Sequence, residues 1–206
     1  GQIEADSASI TDLCKSEEYT AKFGFTPFNF PSVFIPNTYE VYWNTDAGQF
    51  LERMIAEHEA FGTDSRKNKA ERLGLTVFEV ITLASIVEKE TAKDGEKPTI
   101  AGVYINRLNK NWKLQADPTL VFALNDFTIR RVLNEHKKID SPYNTYKYEG
   151  LPPGPICIPG IASIDAVLNY EDHKYMFFCA SPEMNGYHVF ARTLQQHNRN
   201  ARAFQK

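Results

Sequence analysis

Apolar residues recur at helical spacing over residues 47–61, with Phe50, Met54, Ile55 and His58 on one side, and predict an amphipathic helix. A stronger helix is predicted over residues 77–91, where Thr76 and Glu79 form the capping-box pair that marks a start. Pro98 opens another to about Leu108, and Asp117-Pro118-Thr119 reads as N-cap and proline before a helix reaching Leu124. Residues 1–25 read as a short helix pair carrying Ile3, Ile10, Leu13, Tyr19 and Phe23. Prolines 27, 31 and 36 predict an extended segment over residues 25–36, with a short strand over 39–43. The basic stretch 66–69 reads as a solvated connection, and the proline- and glycine-rich residues 140–162 as a long loop. Strand-like residues 175–179 and 187–190 suggest a hairpin before a last helix over 193–204. Helices and short antiparallel strands without regular β-α-β alternation predict an α+β fold around a cleft.

Composition narrows the class. A chain of 206 residues, 42% hydrophobic and 24% charged, is an ordinary globular sequence able to bury a core without a disulfide framework. Its net charge of -3 argues against nucleic acid as a partner, which normally demands a basic footprint. The nearly apolar stretch 77–87 is too short for a membrane span. Gly1-Gln2-Ile3-Glu4 lacks the basic start and apolar core of a signal peptide and reads as a boundary or a processed end. Cys14, Cys157 and Cys179 show no C-x-x-C spacing, which leaves one bridge plus a free thiol, or three buried thiols. The five histidines show no metal-ligand spacing, and no nucleophile elbow, H-E-x-x-H or P-loop is present; neither metal nor cofactor is expected.

One carboxylate stands out. At about 100° per residue, Val77, Val80, Ile81, Ala84 and Val87 share one arc of the 77–91 helix, and Glu88 falls at about 20°, inside it. Glu90 falls beside Glu79 on the polar side. A carboxyl against an apolar wall loses hydration, its pKa rises, and it can serve as a general acid at neutral pH. The plainer reading is that Glu88 pairs with a Lys or Arg, or reaches water at the helix end. Asp117 reads first as an N-cap; Gln115 leads into a loop with no capping role. Tyr143-Asn144-Thr145-Tyr146 combines rings and amides suited to sugars and acetamido groups, or equally to a turn. The proline-rich stretch 150–155 is rigid enough for a cleft wall or a brace.

Ala84-Ser85-Ile86-Val87-Glu88-Lys89-Glu90-Thr91 resembles the signature of the MltG/YceG family, the endolytic murein transglycosylases. In order follow Val103 to Leu108, the Leu114-Gln115-Ala116-Asp117-Pro118-Thr119 segment, Tyr143 to Tyr146, Gly150 to Ile156, Pro159-Gly160, and finally His188-x-Phe190 and His197-Asn198. Pro36-Asn37-Thr38-Tyr39 departs from the family, with Asn37 where aspartate is usual. The resemblance implies an edge of a LysM-like subdomain plus a linking helix over residues 1–64 and a catalytic domain over residues 65–206. It implies an N-terminal membrane helix outside this sequence and a catalytic domain on the extracytoplasmic side of the cytoplasmic membrane.

What the resemblance implies chemically is cleavage of the β-1,4 bond between N-acetylmuramic acid and N-acetylglucosamine within nascent glycan strands, leaving a 1,6-anhydromuramic end and terminating elongation. Glu88 is the implied catalytic residue. Gln115, Asp117, Asn144, Tyr146, His188 and Asn198 are the implied substrate-binding residues. Peptidoglycan strands are the implied partner, with cell-wall synthases beside them. Two other readings stay open: a hydrolytic muramidase in which Asp117 or Glu90 activates water, and a peptidoglycan-binding module without activity.

Overall fold

The computed structural model describes residues 3–204 of the chain; positions 1, 2, 205 and 206, the ends of the two expected segments, lie outside them. Asp6 caps α1 (Ser7–Lys15) and Ser16 caps α2 (Glu17–Ala21), which is the predicted helix pair. The helix α3 (Ala47–Phe61) starts at a complete capping box from Asp46 and Gln49. Next come α4 (Asp64–Arg72) and α5 (Val77–Glu90), the latter opened by the Thr76–Glu79 box with both halves formed. The helices α6 (Lys97–Leu108) and α7 (Asp117–Leu124) follow, each with proline in its first turn. A long irregular stretch leads to α8 (Ile161–Leu168). An antiparallel hairpin of β1 (Phe177–Ala180) and β2 (His188–Ala191) pairs Phe178 with Phe190, and α9 (Leu194–Phe204) ends the described chain. The fold is α+β.

The centre of the molecule is α5. Every residue from Val80 to Val87 is buried, because α4, α6, α7 and α8 all pack against it. A helix apolar or buried all round is a core helix, not a surface one. Ser85 is tolerated there because its hydroxyl donates to Thr82 O at 2.7 Å and accepts from Ile156 N at 3.0 Å. That second bond pins the 150–156 loop to α5. The same loop lies so close to the N-terminal part that a Cβ on Gly154 would sit 1.9 Å from Phe28 O, so only glycine fits. A second apolar cluster, with Phe25, Phe30, Val33, Leu51, Met54 and Ile55 fully enclosed, joins α3 to the turn before it and receives Phe78 from α5.

Several local expectations are revised. The segment expected to be extended contains a 3-10 turn, Phe30–Val33: Pro31 fits its first turn, and burial of Phe30 and Val33 offsets the bend. No strand forms over residues 39–43; the backbone there instead accepts Glu4 N at Trp43 O. The basic stretch 66–69 lies in α4, where Arg66 stacks on Phe61 and pairs with Asp165 at 3.1 Å. The helix α8 lies across the end of the predicted loop. The three cysteines are all free thiols, half-buried. Among the described residues no helix is long and apolar enough to cross a membrane.

Candidate active site

The last turn of α5 carries two glutamates that face opposite ways. Glu90 projects into a cleft whose two arms meet at it. One arm, about 320 Å³, is lined by Tyr104, Arg107, Gln115, Tyr146, Phe177 and His197. The other, about 500 Å³, runs past Asp117, Val121, Phe122, Ile129 and Ile156. Tyr104, buried in α6, donates its hydroxyl to Glu90 Oε1 at 2.5 Å. Glu90 Oε2 makes no hydrogen bond among the described residues and is left for whatever enters the cleft. Loss of hydration is the main cause that pushes the Glu90 carboxyl up to about 7; the Tyr104 hydrogen bond opposes it, the Asp117 charge adds to it, and His188 and Arg107 pull it down.

Glu88 does not have the environment expected of it. Its Oε2 accepts from Lys97 Nζ at 3.1 Å and from the Ser163 hydroxyl. Desolvation raises its pKa, but those two hydrogen bonds, the Lys97 charge and the Gly160 backbone outweigh it, so the carboxyl is held below the ordinary glutamate value. The plainer of the two sequence readings, pairing with a lysine, is the one observed. Lys97 is 5% exposed and is shared with Asp94 at 2.8 Å. The pair joins the end of α5 to the starts of α6 and α8, and Glu88 lines neither arm of the cleft.

The segments around Gln115 and Tyr146 are stitched together. Gln115 adopts a left-handed backbone (φ 51°), unusual for a residue with a side chain, and its N–H bonds Thr145 O at 3.0 Å. The side-chain amide is exposed at the cleft wall. Ala116, not Asp117, is the N-cap of α7, and no side chain caps that end. Asp117 is thereby free to accept the hydroxyl of Tyr146. Burial, then the Asp117 bond and charge, push the Tyr146 phenol above its usual range, so it stays protonated as a donor. Asn144 is not in the cleft. It is 0% exposed, and its amide donates to Lys137 O and Ile139 O and accepts from Tyr146 N and Lys147 N. All its hydrogen-bonding capacity braces the loop, so it cannot take a sugar acetamido group.

A sequence profile of the YceG-like family matches residues 4–203. The chain belongs to the YceG-like family. An endolytic murein transglycosylase of Bacillus subtilis (strain 168) is 40% identical over 156 residues, covering 76% of this chain and 42% of that protein. One of Streptococcus pneumoniae serotype 2 (strain D39) is 33% identical over 174 residues, covering 80% and 30%. The chain thus spans less than half the length of these relatives. A crystal structure of a protein described as YceG-like from Listeria monocytogenes superposes with a TM-score of 0.80 at 29% identity, covering 94% of this chain and 67% of that one.

Within this YceG-like chain, the C-terminal motif divides unexpectedly. His197 lines the cleft, stacked on Phe177 with ring centroids 5.4 Å apart, while the neighbouring Asn198 is exposed on α9 and its side chain makes no hydrogen bond among the described residues. The buried Nδ1 of His197 has no hydrogen-bond partner among the described residues, and burial, with Arg107 nearby, lowers its pKa, so the ring is neutral at pH 7. His188 is turned to Glu96, whose carboxylate meets its Nδ1 at 3.0 Å and its backbone N–H at 2.7 Å. Tyr104, Arg107, Phe177 and His197 were not singled out as site residues by sequence. Tyr104 and Arg107 sit three apart on α6, a spacing that any helix face shares, so only their distance to Glu90 reveals them. Among the described residues no group of His, Cys, Asp or Glu is arranged to hold a metal.

Proposed function

We propose that this chain is the catalytic part of an endolytic peptidoglycan lytic transglycosylase in which Glu90 is the acid and base. The observation that carries this reading is a carboxyl placed where two cleft arms meet, held by Tyr104 on one oxygen and open on the other, in a chain of the YceG-like family; loss of hydration pushes it up to about 7. Most glycosidases need two carboxylates because one must activate water. A lytic transglycosylase does not, since the nucleophile is the 6-hydroxyl of the muramic acid itself. Protonated Glu90 gives its proton to the glycosidic oxygen as the C1–O bond breaks. Its carboxylate then takes the proton of the 6-hydroxyl as that oxygen bonds to C1, which closes the 1,6-anhydro ring and restores the acid. Tyr104 fixes one carboxyl oxygen so that the other faces the bond. Gln115, the Asp117–Tyr146 pair and neutral His197 offer hydrogen bonds to the sugars, with Phe177 as an apolar platform. The reading carries with it nascent strands as substrate, wall synthases as neighbours, and a place outside the cytoplasmic membrane.

The test is digestion of purified peptidoglycan with the wild type, Glu90→Gln and Glu88→Gln, followed by mass spectrometry of the new glycan ends. Anhydro ends from the wild type and Glu88→Gln, and none from Glu90→Gln, are expected. Reducing ends would replace this reading by a hydrolytic one, with Asp117 as the second carboxylate to examine.

A further inference from the structure

The larger cleft arm has a chemistry that a plain glycan does not require. Its walls are apolar, formed by Val121, Phe122, Ile129, Val132 and Ile156, with the exposed Phe127 ring at the rim. Beside them stand two solvent-exposed cations, Lys89 next to Glu90 on α5 and Arg130 on the connection after α7. Neither has a carboxylate partner among the described residues. Of the two acids lining the arm, Asp117 is engaged by Tyr146 and Glu90 is the titrating group. The smaller arm is different in kind: its one cation, Arg107, is buried and donates to Met176 O and Leu114 O, which leaves an amide, a phenol and stacked rings of the sort that bind neutral sugars.

We infer that the larger arm is a subsite for the peptide stem of the muramic acid beside the cleaved bond, with Lys89 and Arg130 reading the stem's carboxylates and the apolar wall taking its methyl groups. The inference rests on the peptidoglycan reading above. Peptidoglycan stems run from the lactyl ether of muramic acid through one methyl-bearing residue to an acidic one and end on a carboxylate, so apolar and anionic groups alternate as wall and cations do. The recess of about 500 Å³ is much larger than a lactyl carboxylate alone would fill. An enzyme built this way distinguishes strands that carry stems from strands stripped of them.

The experiment uses Glu90→Gln, which keeps the arm while preventing cleavage, and two strand preparations of one length, stem-bearing and amidase-stripped. The stripped strands retain a free lactyl carboxylate, so they separate that source of negative charge from the stem. Stem-bearing strands should bind about tenfold more tightly, the scale of two partly exposed ion pairs with some apolar burial, and the gap should narrow with added salt. Adding Lys89→Ala and Arg130→Ala together should bring the ratio to within about twofold, and Arg130→Glu should reverse part of it. Equal affinity for both preparations, with the wild type still cutting strands, would overturn the stem subsite and leave the proposed function standing. Neither binding nor cutting of either preparation would overturn that function, and the subsite with it. A ratio indifferent to both cation variants would also sink the inference, since the preference would then come from elsewhere.

Discussion

Glu88 and Glu90 stand two residues apart on one helix, with the same side chain and the same helix end, yet they are opposite chemical objects. Glu88 lies against a lysine, a serine hydroxyl and a helix N-terminus, and is ionised. Glu90 has a phenol on one oxygen, an open cleft on the other and too little water for its charge, and titrates near neutrality. Both are desolvated to some degree. The outcome is decided by what replaces the lost water: a matched cation keeps a carboxylate charged, whereas a neutral donor with an acidic neighbour does not. The first arrangement fastens three helices together, and the second, on the proposed function, keeps a proton ready for transfer.

The most severe way to break this contrast is Glu90→Gln, which should lower strand cleavage by about 10³-fold or more. The same variant should be more stable above neutral pH. Because the folded pKa of about 7 lies above the unfolded 4.5, the native state binds more protons between those values, and stability falls as pH rises from one to the other. Glutamine removes that loss, on the order of 3 kcal/mol, and a melting curve at pH 8 should move up by several degrees. An unchanged or lower melting point would mean that the Glu90 carboxyl is not desolvated.

The pH dependence of the wild type sharpens the contrast further. Above about pH 7 the rate on strands should fall about tenfold per unit as the acid ionises. A rate constant from pH 6 to 9 would remove Glu90 from the role. Replacing Tyr104 by Phe should cost about tenfold in rate. It should also move the alkaline limb upward, because the phenol's hydrogen bond is one of the influences that hold the Glu90 carboxyl down.

Glu88→Gln tests the other side. Removing one partner of a lysine that is 5% exposed should cost about 1–3 kcal/mol, softened by Asp94 and by the partial exposure of the glutamate. Cleavage per folded molecule should stay within about threefold of the wild type. Since the folded Glu88 pKa is depressed, its stabilisation is present at neutral pH and lost as pH falls through that value. The variant's deficit, followed by melting temperature, should therefore shrink in acid. A Glu88→Gln protein that melts normally but does not cut strands would reverse the assignment. The smallest effects divide two adjacent residues of α9: His197→Ala should weaken strand binding by up to about tenfold, while Asn198→Ala should leave it unchanged.

The chain's own sequence determined the local elements whose signals are covalently near one another. Thr76 and Glu79 lie three residues apart and close their box without help from the rest of the molecule, as do Asp46 and Gln49 for α3. The α+β class, the hairpin and the order of the cleft-bearing segments were legible for the same reason. Residues 66–69 and 161–168 were not read as helices, since both draw stability from packing partners remote in sequence, such as the Arg66–Asp165 pair. The site was only half legible. A helical wheel assumes one wet face, but α5 is enclosed on all sides, so its polar arc points into a cleft and its apolar arc meets Lys97. Likewise Asn144 and Tyr146 share one motif, yet one is spent as a brace and the other faces the cleft. Tertiary structure alone decided these matters, because a carboxyl's proton affinity depends on the charges, donors and water within a few ångströms, and those are supplied by segments far along the chain.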